Sequence, residues 1–170
     1  MRKPYAKGKT PACHLLHVRL RKPNIPSMSF DHTSSAGYLA NHMARLFFDQ
    51  LRKRIEHLGI VPGQFPALLA LWQRDGQTQK ELVGRLGIEQ ATMANTLNRM
   101  ERDGLITRKD HPTDGRAKTI YLTQKARSVR DDAYAAASSV NDVALADFTP
   151  KERAAFVEYM QRTIKTLKRH

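Results

Sequence analysis

Apolar positions three and four apart dominate this chain from Ser34 to Leu167, interrupted by one short stretch that alternates with a period of two. From Ser34 to Leu58 the apolar residues are Leu39, Met43, Leu46, Phe47, Leu51, Ile55 and Leu58. That spacing predicts one long helix with a broad buried face. Thr78 and Glu81 fit a capping box, and Leu82 and Leu86 follow on one face before Gly87. Ile88 is placed to plug the turn after it. A second helix is predicted from about Glu89 to Asp103, with Met93, Leu97 and Met100 on its buried stripe and Gly104 at its end. Leu105 and Ile106 then start a strand, and Ile120 and Leu122 alternate on a returning one. The Asp114-Gly115 pair between them is a hairpin signal, with Gly expected at a positive φ. From about Gln124 the helical period resumes through Ala126, Val129, Ala133, Ala136, Ala137 and Val140. Thr149-Pro150-Lys151-Glu152 starts a last helix, striped by Phe156, Met160, Ile164 and Leu167.

The fold class that follows is mainly α with a small β-hairpin wing, in the order of a winged helix-turn-helix flanked by long helices. Two helices meeting at a glycine, then a basic hairpin, outline a DNA reader. The exposed side of the second helix carries Gln90, Ala91, Ala94, Asn95 and Asn98, with no acid among them. Small residues let backbone approach a groove floor, and amides can pair bidentately with adenine edges. The plainer alternative is a solvated helix face. In the wing, Arg108, Lys109, Arg116 and Lys118 make the strands basic. An arginine at a hairpin tip can enter a narrow minor groove. Asp114 could pair with the guanidinium of Arg116 or Arg108 to aim it, or form only a weak surface ion pair.

These residues resemble the MarR family of multiple-antibiotic-resistance regulators. The resemblance rests on Gln64-Phe65-x-x-Leu68, Thr78-Gln79-Lys80-Glu81-Leu82, Gln90-Ala91-Thr92 and Met100-Glu101-x-x-Gly104-Leu105-Ile106. The wing Asp114-x-Arg116 leading to Leu122-Thr123 completes it. It spans roughly residues 34–168. It implies that Arg116 reaches the minor groove beside Asp114, and that Gln90, Ala91, Ala94 and Asn95 occupy the recognition-helix positions. The candidate DNA-binding set is Thr78, Gln79, Lys80, Gln90, Ala91, Thr92, Ala94, Asn95, Arg99, Arg108, Lys109, Asp114, Arg116 and Lys118. Within it, Lys80 and Lys118 are expected to hold phosphates. The resemblance also implies a homodimer built from the first and last two helices, with helices at about 34–58 and 124–168 around a winged unit at about 61–123. Three departures stand out. Val61 replaces the usual capping hydroxyl before Pro62. Gln124-Lys125-Ala126 replaces a Gly-containing segment. About thirty residues precede the domain.

Charge agrees with a double-stranded DNA partner. The formal net charge is +13, which attracts polyanions. Residues 1–28 hold seven of the basic side chains and no acid, leaving +6 on the rest. Residues 1–30 have no periodic pattern, and Pro4, Pro11, Pro23 and Pro26 break any long helix. They are expected to be a disordered basic extension. It would serve as an arm adding phosphate contacts, or else translation starts at Met28. The run Leu15-Leu16-His17-Val18 is too short for a signal core or a membrane span. Residues 31–170 are expected to form a single domain.

No Gly-rich phosphate loop, metal-spaced cluster or nucleophile motif occurs, so an enzyme, a cofactor and a metal are not expected. Cys13, the single cysteine, lies in the extension, which points to a reduced cytoplasmic protein. Peroxide sensing by a cysteine in the first helix, known in some MarR relatives, has no residue in the domain to perform it. Family members often bind phenolic or carboxylate compounds between the dimer helices and the winged unit. By that likeness the ligand-binding candidates are His42, Arg45, Leu46, Phe65, Leu69 and Trp72. His42 is read otherwise as a satisfied interior residue, and Phe65, Leu69 and Trp72 as core at helical spacing. The expected function is a homodimeric repressor on a pseudo-palindromic operator, released by a small aromatic or anionic ligand. The alternative is a nucleoid-type DNA-binding protein without sensing.

Overall fold

Ser35 accepts the backbone N–H of Tyr38 and starts the first helix of the computed structural model, which describes residues 31–169. The reading of residues 1–30 as a basic extension lies outside the described residues. Helix α1 (Ala36–Ile55) runs into a short 3-10 turn that ends at Gly59, and a second 3-10 turn at Pro62–Gln64 leads into α2 (Phe65–Gln73). With no capping hydroxyl at Val61, the Gln64 N–H donates to the Val61 backbone carbonyl at 2.9 Å, and the Gln64 side chain reaches back. Its side-chain oxygen accepts the Val61 N–H at 3.2 Å, and its amide donates to Asp103 at 2.8 Å.

The winged unit follows as β1 (Gln77–Thr78), α3 (Gln79–Leu86), α4 (Gln90–Arg102), β2 (Ile106–Asp110) and β3 (Lys118–Leu122). The capping box is present: Thr78 accepts the Glu81 N–H, and the Glu81 carboxylate accepts the Thr78 N–H at 2.7 Å. Gly87 and Gly104 adopt φ of 64° and 69°, the left-handed conformation that stops each helix where the sequence predicts. Met93, Leu97 and Met100 are fully buried, against Leu82, Leu105, Ile106 and Ile120.

The sheet has three strands in the order β1-β3-β2, all antiparallel, where the sequence predicts only a two-stranded hairpin. Gln77 and Thr78 pair with Ile120 and Thr119. A two-residue strand shows no period, so no pattern announces it. The hairpin tip also differs from expectation. Residues 111–117 form a long loop, and its turn is closed by the Ala117 N–H donating to the Asp114 carbonyl at 3.0 Å. Gly115 is not among the glycines with positive φ. A loop of this length closes with an ordinary turn and has no need of the mirror-image turn of a tight hairpin.

Thr123 caps α5 (Gln124–Ser128), which breaks at Val129 before α6 (Arg130–Ala144), so the helix expected as continuous is two. Helix α6 packs along α1. Helix α7 (Pro150–Leu167) has the predicted box between Thr149 and Glu152 but contains no buried residue. The broad buried face expected on α1 is only partly covered, with Met43, Phe47 and Leu51 half-buried. Only Ile55 is buried there, and Leu39, Leu46 and Phe48 are about half exposed. On α7, Ile164 and Leu167 are 51% and 71% exposed. The apolar stripes are present as the spacing predicts. Among the described residues, α6 covers the α1 stripe only in part, and the far end of the α7 stripe is left exposed.

Candidate nucleic-acid interface

Helices α3 and α4 and the wing enclose a concavity of about 710 Å³. Of the candidate set, Thr78, Gln79, Lys80, Gln90, Arg108, Asp114, Arg116 and Lys118 line it. The α4 stripe Met93-Leu97-Met100 is anchored below, which turns the opposite face of α4 outward toward the wing. Gln90, Ala91, Thr92, Asn95 and Arg99 are exposed on that face, and Ala94 is half-buried. Among the described residues the side chains of Gln90 and Asn95 make no hydrogen bond, so both amides keep a free donor and a free acceptor. Gln79 ties the two helices together by donating to the Gln90 carbonyl at 3.3 Å. Thr92 donates to Glu89 at 3.1 Å at the start of α4. Lys80 is exposed at the start of α3.

The wing cations divide into two kinds. Arg116 is exposed, and among the described residues its guanidinium has no partner. Lys118 pairs with Asp110, and Lys109 lies 5.1 Å from the centre of the Tyr121 ring. Arg108 is different: it donates to Glu101 at 2.6 Å and to Asn98 at 2.8 Å. The expected pairing of Asp114 with a guanidinium is not what the structure has. Asp114 accepts the backbone N–H of Arg116 at 3.0 Å, two residues on, which is an Asx-type turn. A carboxylate this close in sequence reaches the backbone before it can reach the far end of an arginine. His111 completes the tip, its Nδ1 accepting the Asp114 N–H at 3.2 Å. Glu101, Asp110 and His111 were not among the candidates, and Asn98 was named only on the exposed amide face of the helix. The one available signal was a helix pair three apart, Asn98 and Glu101, facing an arginine on a strand.

Electrostatics at the site follow from its caps. The backbone N–H and the hydroxyl of Thr78 hold the Glu81 carboxyl below its ordinary value, so it stays ionised at the start of α3. Arg74 bridges to the same carboxylate at 2.7 Å. Beneath, the buried Gln77 amide donates to the carbonyls of Ala70 and Arg74, and Asp75 accepts the Leu122 N–H at 3.0 Å while pairing with Arg127. At Gly76, φ is 68° and an added Cβ would meet the Tyr121 ring at 2.9 Å, which keeps the sheet close to α2.

The ligand-binding candidates do not converge within one chain. Phe65 and Leu69 line a groove of about 510 Å³ between α1, α2 and α6. Leu46 lines a separate apolar cavity of about 430 Å³ between α1, α6 and α7. Arg45 and Trp72 each border a different depression. His42, expected on a buried face, is exposed and stands edge-on to Tyr38. Phe65 is buried core, and the Trp72 indole is held by a backbone carbonyl.

Known proteins place this arrangement. Residues 60–118 match the sequence model of the MarR family. An organic hydroperoxide resistance transcriptional regulator of Bacillus subtilis is 32% identical over 107 residues, which cover 61% of this chain and 73% of that one. A MarR transcriptional regulator from Methanosarcina mazei has the same fold, with a TM-score of 0.72 and 26% identity over 79% of this chain and 97% of that one. AbfR, solved in its overoxidized form bound to DNA, aligns with a TM-score of 0.62 and 27% identity over 77% of this chain and 90% of that one. Capped helix pair, anchored second helix and basic wing together with these likenesses show that the chain belongs to the MarR family of DNA-binding transcriptional regulators.

Proposed function

We propose that this regulator is a cytoplasmic homodimeric repressor that reads a pseudo-palindromic operator and is released by a small aromatic or anionic ligand. The observation that carries the reading is the concavity, in which the unengaged amide of Gln90 on α4 faces the unpaired Arg116 of the wing. Gln90 and Asn95 discriminate bases in the major groove. Lys80 and Lys118 hold phosphates, Lys118 by exchanging its exposed pairing with Asp110 for DNA. Residues 31–170 act as one unit. Its winged part spans about 61–123, and its outer helices at about 34–58 and 124–168 cover each other's apolar stripes across a two-fold axis. That axis sets the two readers about 34 Å apart, one helical turn of DNA. Binding of DNA by AbfR supports the partner assignment. For the ligand, the groove holding Phe65 and Leu69 lies between the outer helices and the winged unit. No helix among the described residues is long and apolar enough to cross a membrane.

Selection of bound duplexes from a random pool, with and without aromatic carboxylic acids, tests the whole reading. A pseudo-palindromic consensus with half-sites one turn apart, lost on adding an acid, is expected. On that consensus Asn95→Ala should cost about 1–3 kcal/mol at one position per half-site. Lys80→Ala should weaken all sequences alike and lower the salt slope by roughly one unit. Binding without a consensus or a ligand response would make it a nucleoid-type protein instead.

A further inference from the structure

Arg108 does not stand on the wing as a free cation. Strand β2 alternates with a period of two, so Arg108 shares the face of buried Ile106 and is directed at α4. Asn98 and Glu101, three apart on α4, share the surface that receives it. The guanidinium donates to Glu101 Oε2 at 2.6 Å and to Asn98 Oδ1 at 2.8 Å. A guanidinium has donors only. The Asn98 atom that meets it is therefore the carbonyl oxygen, which leaves the NH2 group as the free end. Asn98 also lines the DNA-facing concavity.

We infer that Arg108 is a positioning residue that fixes Asn98 as a hydrogen-bond donor toward an acceptor-only atom of DNA, a phosphate oxygen or a guanine edge. The inference rests on the DNA-reading function proposed above. Adenine needs both a donor and an acceptor from the same amide. The carbonyl of Asn98 is already held by a charge-assisted bond, which is stronger than a neutral one. Turning the amide over would set NH2 against guanidinium. Gln90 and Asn95 have no such constraint, so the amide face contains two kinds of reader. Arg108 and Glu101 also cancel in charge, so Arg108 adds no phosphate contact of its own.

A double-mutant cycle on the selected operator tests this. One arm is Asn98→Ala. The other is Arg108→Met combined with Glu101→Gln, so that no stray carboxylate is left facing DNA. Each arm should lower operator affinity about three- to tenfold, the effect of one hydrogen bond. The triple variant should bind no worse than Asn98→Ala, because Arg108 acts through Asn98. The salt slope should be unchanged by loss of Arg108, whereas a lost phosphate contact lowers it by roughly 0.9. Additive losses with a lower slope would overturn the inference. Randomising each operator position separates the two acceptors. A guanine preference lost in Asn98→Ala identifies a base edge, a uniform loss identifies phosphate, and a lost adenine preference overturns the inference. Thermal midpoints report folding. If the Met/Gln variant does not fold, Arg108→Lys decides, since an ammonium cannot hold both partners in a fork. It should behave like Asn98→Ala, and wild-type affinity would overturn the positioning role. Absence of any DNA binding by the wild-type chain would overturn the proposed function as well, which keeps the two failures distinct.

Discussion

The indole N–H of Trp72 donates to the backbone carbonyl of Ala126 at 2.9 Å. This bond joins α2, inside the winged unit, to α5, where the chain leaves for the outer helices. The ring also meets Phe65 and Tyr134 edge-on, with centroids 6.0 and 5.3 Å away. Trp72→Phe keeps an aromatic ring and removes the donor, leaving the Ala126 carbonyl without its partner. A loss of about 1–2 kcal/mol is expected in chemical denaturation. An unchanged midpoint would mean that water replaces the indole fully.

What was legible in the sequence was local. Thr78 with Glu81, Gly87, Gly104 and the stripe Met93-Leu97-Met100 each encode their structure within a few residues, and all appear where the spacing puts them. The relations that escaped are non-local or polar. Strand β1 exists because Gln77 and Thr78 meet β3 more than forty positions on. Gln77 is buried as an amide serving two carbonyls, a role that composition assigns to the surface. Arg108 reads as a wing cation until the register of β2 turns it beneath the wing. The stripe on α1 is legible as apolar, yet period alone does not say which surface covers it.

Acid should loosen the start of α3. The Thr78 backbone N–H and hydroxyl bind the ionised Glu81 carboxyl, holding it below its ordinary value near 4.5. A carboxylate lowered on folding adds stability above the unfolded value, and that contribution is lost as pH falls through the folded one. The contribution is thus complete at neutral pH and fades in the acid range below about 4.5. Glu81→Gln should flatten this part of the stability–pH curve. Thr78→Ala, which removes the cap itself, should cost about 1 kcal/mol at neutral pH. Equal acid dependence of Glu81→Gln and wild type in urea titrations would contradict the assignment.

Helix α7 presents Met160, Ile164 and Leu167 to solvent and buries no residue of its own. An 18-residue helix with one apolar stripe gains little stability from propensity alone and needs a surface to pack on. In a dimer the stripe would be covered, so Ile164→Glu should shift sedimentation at micromolar concentration from dimer to monomer. Operator affinity should fall with it, because two linked half-sites become independent. The winged unit, whose core cluster includes no residue of α7, should keep its circular dichroism. A wild-type chain that sediments as a monomer would remove the basis for the two-fold operator.

The wing makes the finest distinction. Asp114 accepts the Arg116 backbone N–H at 3.0 Å, and its own N–H donates to His111. It therefore shapes the loop that aims Arg116, without gripping the guanidinium. Simple electrostatics says that Asp114→Ala removes a negative charge near phosphates and tightens binding to any duplex. A shaping role says that operator affinity falls instead, because a loosened tip must be ordered on binding. Asp114→Asn separates shaping from ion pairing. It keeps the side-chain oxygen that accepts the N–H and abolishes the charge, so operator affinity should return to the wild-type level or above it. Were a carboxylate–guanidinium pair responsible, Asn would fail as Ala does. Arg116→Lys should lose affinity in every background, since a compact ammonium cannot copy the planar fork. Fluorescence anisotropy on one operator and one scrambled duplex at fixed salt decides among these outcomes. Operator binding by Asp114→Ala at or above wild type would reduce Asp114 to an ordinary turn residue.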